Sequence, residues 1–457
     1  MCGVLGICAP DRDVARLAHF GLHALQHRGQ ESAGIAVSDR GRLTVLRDLG
    51  LVTQVFTEQK LRGLSGQLAI GHTRYSTTGG VAWANAQPIV QHGSARTVAL
   101  GHNGNLVNAS ELRDDLHVPL SSSSDTELIA ALIASDAAPL PEAVANAMRR
   151  LEGAYSVTAL ADGKLLAFRD PHGFRPLVLG RLRDGWVVAS ETCALDLVGA
   201  ELEREVAPGE LLVIDEDGVQ SHHAVEPAPG ALCIFEFFYL ARPDSRLEGV
   251  EVHGARVRMG AQLAAEAPAQ ADLVLPIPDS GTPAAIGFAR ATGIPFSEGL
   301  IKNRYVGRTF IQPDQALRQQ GIRLKFNPLA EVAGKRVVVV DDSIVRGNTT
   351  RQIVRMLFDA GASEVHVRVS SPPIVGPCFY GIDFADEEEL IAANRTVEDV
   401  RTHIGATSLA YLSLDGLQAA TARPTSALCR ACLTGEYPTR IPAGRTLAKL
   451  RFEPARA

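Results

Sequence analysis

The 457-residue chain has no apolar run approaching the roughly 20 residues needed to cross a bilayer. It also lacks a large excess of charge. Lys and Arg number 45 against 51 Asp and Glu, a formal net charge of −6 that gives no electrostatic reason to expect nucleic acid or an anionic membrane as partner. Asp11, Arg12, Asp13 and Arg16 interrupt what would be the apolar core of a secretory signal. Cysteine is scarce, and its count of seven is odd, which argues against a disulfide framework in a chain too long to need one. No internal repeat is visible. These absences predict a soluble, cytosolic protein, and the length predicts two domains.

What is present changes grammar near the middle. The first half alternates short apolar runs with glycine-rich turns: GVLGI, AGIAV, LAIGHTRY, TVALGHNGN, YSVTAL, LLAF, LVLG, WVVAS and LLVID. This predicts a strand-rich region interrupted by helices at TELIAALIAS and EAVANAMRRL. VEPAPG at 225–230 reads as a linker. Beyond it, ADLVLPIPDSGTPAAIGFARATG reads as strand, loop and helix. GKRVVVVDDSIVRGNTTRQIVRMLFDAGASEVHVRVSS reads as strand, loop, helix and strand. VVVV is apolar without alternation, as in a parallel strand covered on both faces. The following helix puts Ile353, Leu357 and Ala360 on one face and ends at Gly361. The second half is therefore α/β.

Cys2 directly follows Met1. Removal of Met1 would place the thiol on the same carbon skeleton as a free α-amino group, whose unperturbed pKa is roughly 7.7–8.0. That is a nucleophile with its own proton acceptor. Taken alone, Cys2 reads as a small apolar residue starting a strand.

In VVVVDDSIVRGNTT a buried strand ends in Asp341 and Asp342, and a turn of small and hydroxyl residues leads into a helix. Ligands of open α/β sheets bind beyond the carboxyl ends of strands, and a helix N-terminus suits phosphate. The carboxylates suit ribose hydroxyls or a hydrated Mg²⁺. The plain alternative is an acidic strand end before a capped helix.

At these residues the segment resembles the phosphoribosyl pyrophosphate (PRPP) motif of type I phosphoribosyltransferases. The resemblance makes Asp341 and Asp342 the acidic pair that holds the ribose hydroxyls. It makes Ser343, Ile344, Val345, Arg346, Gly347, Asn348 and Thr349, on to Thr350, the 5′-phosphate loop. Asn348 stands where close relatives usually carry threonine, which implies a changed contact and a retained site. PIPDSGTP (276–283) resembles the pyrophosphate loop, with Asp279, Ser280 and Gly281 against the anion. Ser280, Asp341 and Asp342 are the implied Mg²⁺ contacts. KNRYVGRTFIQP (302–313), otherwise a solvated basic loop, becomes by resemblance a flap whose Lys302, Arg304 and Arg308 close over PRPP and exclude water.

QHRGQESAG, GHTRYSTTGG, GHNGNLVN and SSSSDTE resemble the glutaminase domain of class II, N-terminal nucleophile, glutamine amidotransferases. By that resemblance Cys2 attacks the glutamine amide and Arg74 pairs with the α-carboxylate, a task suited to a bidentate guanidinium. Asn103 and Gly104 supply the oxyanion hole. Asp125 holds the α-amino group. Each stretch has a bland reading: Ser124-Asp125-Thr126-Glu127 is a capping box for the helix that follows, HNGN is an ordinary turn, and His72 and His102 are strand-end histidines.

The joined halves resemble the amidophosphoribosyltransferase family, from Cys2 to about Arg440, with ASETCALD, ARPDS, IKNRYVGRTFIQP, DDSIVRG and SSPPIVGPCFYGID as long matches. The implied fold is an α+β αββα glutaminase sandwich over 2–230, followed by an α/β phosphoribosyltransferase domain with a parallel sheet and a cluster-binding tail over 231–457. The implied reaction converts glutamine, PRPP and water to 5-phosphoribosylamine, pyrophosphate and glutamate, the committed step of purine synthesis. Inhibition by purine nucleotides and a homotetramer are also implied. Some members carry a [4Fe–4S] cluster, and Cys233, Cys378, Cys429 and Cys432 stand at its ligand positions. Four thiolates can also hold zinc, and spacing does not decide between them. Cys8 and Cys193 read as core residues. The resemblance requires Met1 to be absent from the active form; many cluster-bearing relatives expose the cysteine by cleaving a longer propeptide. Two rivals share parts of the pattern. Another class II amidotransferase, such as glucosamine-6-phosphate synthase or asparagine synthetase, would lack the DDSIVRG unit. A purine-sensing regulator on a phosphoribosyltransferase fold would show a basic DNA-binding extension and a ruined nucleophile.

Overall fold

The computed structural model describes residues 1–303, 305, 324–384, 387–442 and 452–453. The first half is two stacked antiparallel sheets. In one, Gly3–Cys8 lies at the centre between Gly185–Ala189 and Leu68–Arg74, with Ser32–Asp39 next to the latter. In the other, Thr97–Leu106 pairs with Gly153–Ala161, followed by Lys164–Arg169 and Glu210–Asp215. Val4, Ile70 and Val188 of the first sheet meet Ala99, Leu165 and Leu212 of the second in one apolar layer.

Helices cover both outer faces. Val14–Ala24, capped by the Asp13 carboxylate on Arg16 N, packs on the first sheet, and Asp125–Ser135 with Leu140–Arg150 pack on the second. This is the αββα sandwich. The strands Arg42–Leu49, Ile89–His92, Glu201–Glu205 and Gly218–His223 form the sheet edges. Their mixed polar sequences hide them from an apolar-run reading, because an edge strand has less to bury.

The stretch after His223 carries no strand until Leu232–Cys233, yet it is tied to the first half by Ala228 N to Pro171 O and Ala231 N to His172 O. The second half centres on a parallel sheet ordered Leu273–Pro276, Arg336–Asp341, Glu364–Val369, Ser408–Tyr411. Val338 and Val340 face the helices Val252–Glu266 and Thr282–Thr292, whereas Val337 and Val339 face Asn348–Asp359 and Val397–Ile404. The unbroken valine run is thus buried on both sides. No helix among the described residues is long and apolar enough to cross a membrane. Cys8 and Cys193 are buried core residues.

Candidate active site

Cys2 immediately precedes the central strand of the first sheet and Asn103 lies on the facing sheet, so the sandwich itself brings them together. The Cys2 backbone N donates to Asn103 Oδ1 at 3.2 Å, while Asn103 Nδ2 is buried without a partner. Cys2 Sγ lies 3.5 Å from Tyr75 O. A small cavity is lined by Cys2, Arg74, Gly104 and Asp125 together with Thr77, Thr78, Gln87 and His102. The structure therefore gathers all five residues expected of the glutaminase site.

Arg74 is buried at the end of its strand, and desolvation lowers its pKa despite the nearby Cys2 and Glu31. Its guanidinium donates to Thr78 O and Gly80 O, both at 3.0 Å, and to Gly79 O at 3.2 Å. Gly104 has φ +153°, and a Cβ there would stand 1.9 Å from Ala154 O. HNGN is consequently no turn: it lies within the strand Thr97–Leu106, held flat against its neighbour at a point where only glycine fits. His72 and His102 likewise sit inside strands, and burial lowers the His72 pKa to about 3.

The alternative reading of Ser124–Glu127 as a capping box also resolves differently. Ser124 Oγ caps the helix through Thr126 N at 3.3 Å, whereas the Glu127 carboxylate turns back to accept from Ser121 N and Ser122 N, both at 2.7 Å. Asp125 Oδ2 accepts from Leu106 N at 3.0 Å. Glu127 thus organises the serine run and leaves Ser124 to cap alone, because four consecutive residues offer several competing donors.

In the second half, Asp342 accepts from Ser280 Oγ and, at 2.6 Å, from Ser343 Oγ; its own N donates to Asp341 Oδ1 at 2.9 Å. Burial raises the pKa of both carboxyls; mutual repulsion adds to the rise at Asp341, and the two hydroxyl donors oppose it at Asp342. The Arg256 guanidinium, itself lowered by burial to about 10, adds a positive field toward Asp342. Gly281 lies between the two loops, where a Cβ would sit 2.6 Å from Val340 O.

The loop expected to hold the 5′-phosphate is shorter than the sequence predicts. Gly347 caps the helix Asn348–Asp359, so Asn348, Thr349 and Thr350 already form its first turn, with no side chain capping the amides. Those amides are available to an anion. Ile344 is buried in the core below, Val345 O accepts from Ile391 N, and Arg346 pairs with Glu389 at 2.5 Å. Lys302 pairs with Asp279 and so is not a freely solvated cation. Arg304 and Arg308, with most of the expected flap, lie outside the described residues.

Leu232–Cys233 and Leu428–Cys429 pair in parallel with Cys233 opposite Cys429. Cys378 and Cys432 join them: Cys432 senses the charges of the other three, and burial raises the Cys233 pKa to about 11 against the opposing pull of Arg175. The donor set is four thiols from three segments near a buried guanidinium, a residue chemistry that a thiolate-ligated metal centre uses. Among the described residues, no group of three or more His, Cys, Asp or Glu side chains is drawn close enough to grip a metal ion.

A buried charge network surrounds Cys2. Arg28 Nε donates to Cys2 O at 2.9 Å, while its Nη atoms reach Glu191 at 2.5 Å and Glu236 at 2.8 Å. Arg175 joins Glu236 to Tyr380 O, and Tyr75 Oη donates to Asp383 at 3.2 Å. Gly381 packs on Gly104, a Cβ at Gly381 reaching 3.0 Å from the Gly104 carbonyl. The one clue in the sequence was a charged Glu236 inside the apolar run LCIFEFF.

Residues 72–197 match the family described as glutamine amidotransferase domain, and residues 255–371 the phosphoribosyl transferase domain. The amidophosphoribosyltransferase of Mycobacterium tuberculosis (strain ATCC 25618 / H37Rv) is 54% identical over 465 residues, covering 98% of this chain and 88% of the relative. That of Bacillus subtilis (strain 168) is 48% identical, covering 96% and 94%. A solved structure, the glutamine PRPP amidotransferase from B. subtilis complexed with ADP and GMP, superposes with a TM-score of 0.92 at 46% identity, over 98% of this chain and all of that one. With a cysteine-led sandwich joined to a parallel-sheet phosphoribosyl fold, and with these matches running nearly end to end, the chain belongs to the amidophosphoribosyltransferase family, pentosyltransferases that catalyse the first step of purine biosynthesis.

Proposed function

We propose that Cys2, freed of Met1, is the nucleophile of a glutaminase site whose ammonia is delivered internally to PRPP. The observation that carries this reading is the unpaired, buried Nδ2 of Asn103 beside Cys2. Met1 is buried, its side chain belongs to the apolar cluster of the second half, and burial lowers its ammonium pKa to about 5. Its removal would expose the Cys2 amine and vacate space between the two halves. The amine accepts the thiol proton, and Sγ attacks the glutamine Cδ. Asn103 Nδ2 and the Gly104 amide hold the oxyanion while Arg74 and Asp125 hold the α-carboxylate and α-amino groups. Collapse releases ammonia with a proton from the Cys2 amine, and water then hydrolyses the γ-glutamyl thioester to glutamate.

The second site takes PRPP with Asp341 and Asp342 on the ribose hydroxyls, residues 343–349 on the 5′-phosphate and residues 279–281 on the pyrophosphate. Ammonia adds at ribose C1 as pyrophosphate leaves. Mg²⁺ at Ser280, Asp341 and Asp342 would neutralise charge on the leaving group. Lys302, Arg304 and Arg308 complete the assignment as flap residues. The domains are assigned to 2–230 and 231–457. The B. subtilis protein bound to ADP and GMP supports purine nucleotides as inhibitors here too, with a nucleotide phosphate in the same loop. The four thiols Cys233, Cys378, Cys429 and Cys432 are proposed ligands of a [4Fe–4S] cluster, with zinc the alternative. A cytoplasmic homotetramer completes the reading.

The test is pyrophosphate release from PRPP by wild type and Cys2→Ala, with glutamine or ammonium as nitrogen donor. The variant is expected to lose the glutamine reaction and keep the ammonium reaction. Full glutamine activity in Cys2→Ala would overturn the assignment.

A further inference from the structure

The far end of the chain returns to the rim of the glutaminase cavity. Phe452 packs against the apolar cluster under the outer helices of the second sheet, and the Arg113 guanidinium lies 4.9 Å from its ring centroid. This contact carries the next residue over the loop after Arg74. Glu453 Oε1 accepts from Gly80 N at 2.7 Å, from Ser123 Oγ at 2.5 Å and from Asn85 Nδ2 at 3.4 Å.

Those three donors belong to the two segments that bear the glutamine clamp. Gly80 ends the Thr78–Gly80 stretch whose carbonyls receive the Arg74 guanidinium. Ser123 stands two residues before Asp125 and is joined to Asn85 by Ser123 N to Asn85 Oδ1 at 3.0 Å. The stretch between them contains Gly79-Gly80, which has much backbone freedom to lose on ordering. A charged acceptor shared by both segments restrains that freedom where Arg74 needs a fixed orientation, and hydrogen bonds to a carboxylate are stronger than neutral ones. Glu453 is also near enough for its charge to act on Arg74.

We infer that Phe452-Glu453 is a clip: Glu453 is a positioning residue that ties the 78–85 loop to Ser123 and thereby sets the geometry with which Arg74 and Asp125 bind glutamine. The inference rests on the assignment of those two residues to the glutamine site. Phe452 supplies the anchorage and Glu453 the tie. Among the described residues, the contacts given for both lie with the glutaminase half, so the clip acts on one nitrogen donor and not on the other.

The experiment is steady-state kinetics of the full-length chain and its Glu453→Ala, Glu453→Gln, Phe452→Ala and Arg74→Ala variants at saturating PRPP, with glutamine and separately with ammonium. Glu453→Ala removes all three hydrogen bonds of the tie and should raise KM for glutamine about tenfold, since the loss reaches glutamine only through Arg74 and Asp125, with kcat little changed and the ammonium reaction intact. Glu453→Gln keeps an acceptor oxygen and should lose less, and Phe452→Ala should follow Glu453→Ala. An unchanged glutamine KM in Glu453→Ala, while Arg74→Ala weakens glutamine, overturns the clip alone. An unchanged KM in Arg74→Ala removes the glutamine-site reading and the clip with it. A parallel fall of the ammonium reaction in Glu453→Ala would reduce the contact to general stability and overturn the inference.

Discussion

The Cys2 backbone N donates to Asn103 Oδ1, and this single hydrogen bond aims the amide so that Nδ2 is buried with no acceptor. An unsatisfied buried donor costs about 1–3 kcal/mol, a cost offset when substrate supplies the missing oxygen. Asn103→Ala should therefore lower kcat for the glutamine reaction about 10²–10³-fold, with KM for glutamine and the ammonium reaction little changed. A change confined to KM would assign Asn103 to ground-state binding.

Asp341 and Asp342 are adjacent, buried and raised in pKa by burial, with mutual repulsion adding to the rise at Asp341. Groups so placed favour donors or cations that relieve the repulsion. Asp341→Asn should weaken PRPP by roughly 10–100-fold, the worth of a hydrogen bond to a charged group. Because PRPP serves both nitrogen donors, the glutamine and ammonium reactions should fall together. Kinetics in PRPP with each donor checks this, and a loss confined to glutamine would contradict it.

Cys429 lies opposite Cys233 on a two-residue ladder that fastens the late chain to the start of the second half. Cys429→Ser should remove the visible absorption of anaerobically purified protein and reduce its iron content from about four per chain. Thermal stability should fall as well, since the ligands join three distant segments. One zinc per wild-type chain, with no visible band, would move the thiols to a tetrahedral zinc site.

Glu191 is buried, which alone would raise its pKa, yet His27 and Arg28 hold it well below the usual carboxylate range. A depressed folded pKa contributes stability that is present above the unfolded value, about 4.3, and is lost as pH falls through the folded value. Urea midpoints should therefore drop as pH is taken below about 4.3, and Glu191→Gln should flatten that acid dependence. The same variant should lose about 3 kcal/mol at pH 7, since Arg28 is left with half its compensation. An unchanged acid slope would show that other groups govern it.

Much of the site was legible because its chemistry is local in sequence. HTRY, HNGN, SDTE and DDSIVRG each hold the atoms proposed to act within a few residues, and the valine run declared a strand covered on two faces. The same local grammar also admits HNGN as an ordinary turn and Ser124–Glu127 as a capping box, the bland readings that the resemblance set aside. Strand pairing overrode the first, and competition among neighbouring serine donors the second.

The sequence by itself determined the two architectures, because apolar runs and βαβ grammar are local; the nucleophile, the acidic pair and the four cysteines came from it as proposals carried by family resemblance. Only the tertiary structure decided what surrounds them. Arg28 meets Glu191 across 163 positions and Glu236 across 208, Tyr75 reaches Asp383 across 308, and Glu453 returns to Ser123 across 330. No periodicity encodes such pairings. Arg28 with Glu236 and Tyr75 with Asp383 join the two halves, and a buried charge such as Arg28 is tolerated only when a partner of opposite sign stands beside it.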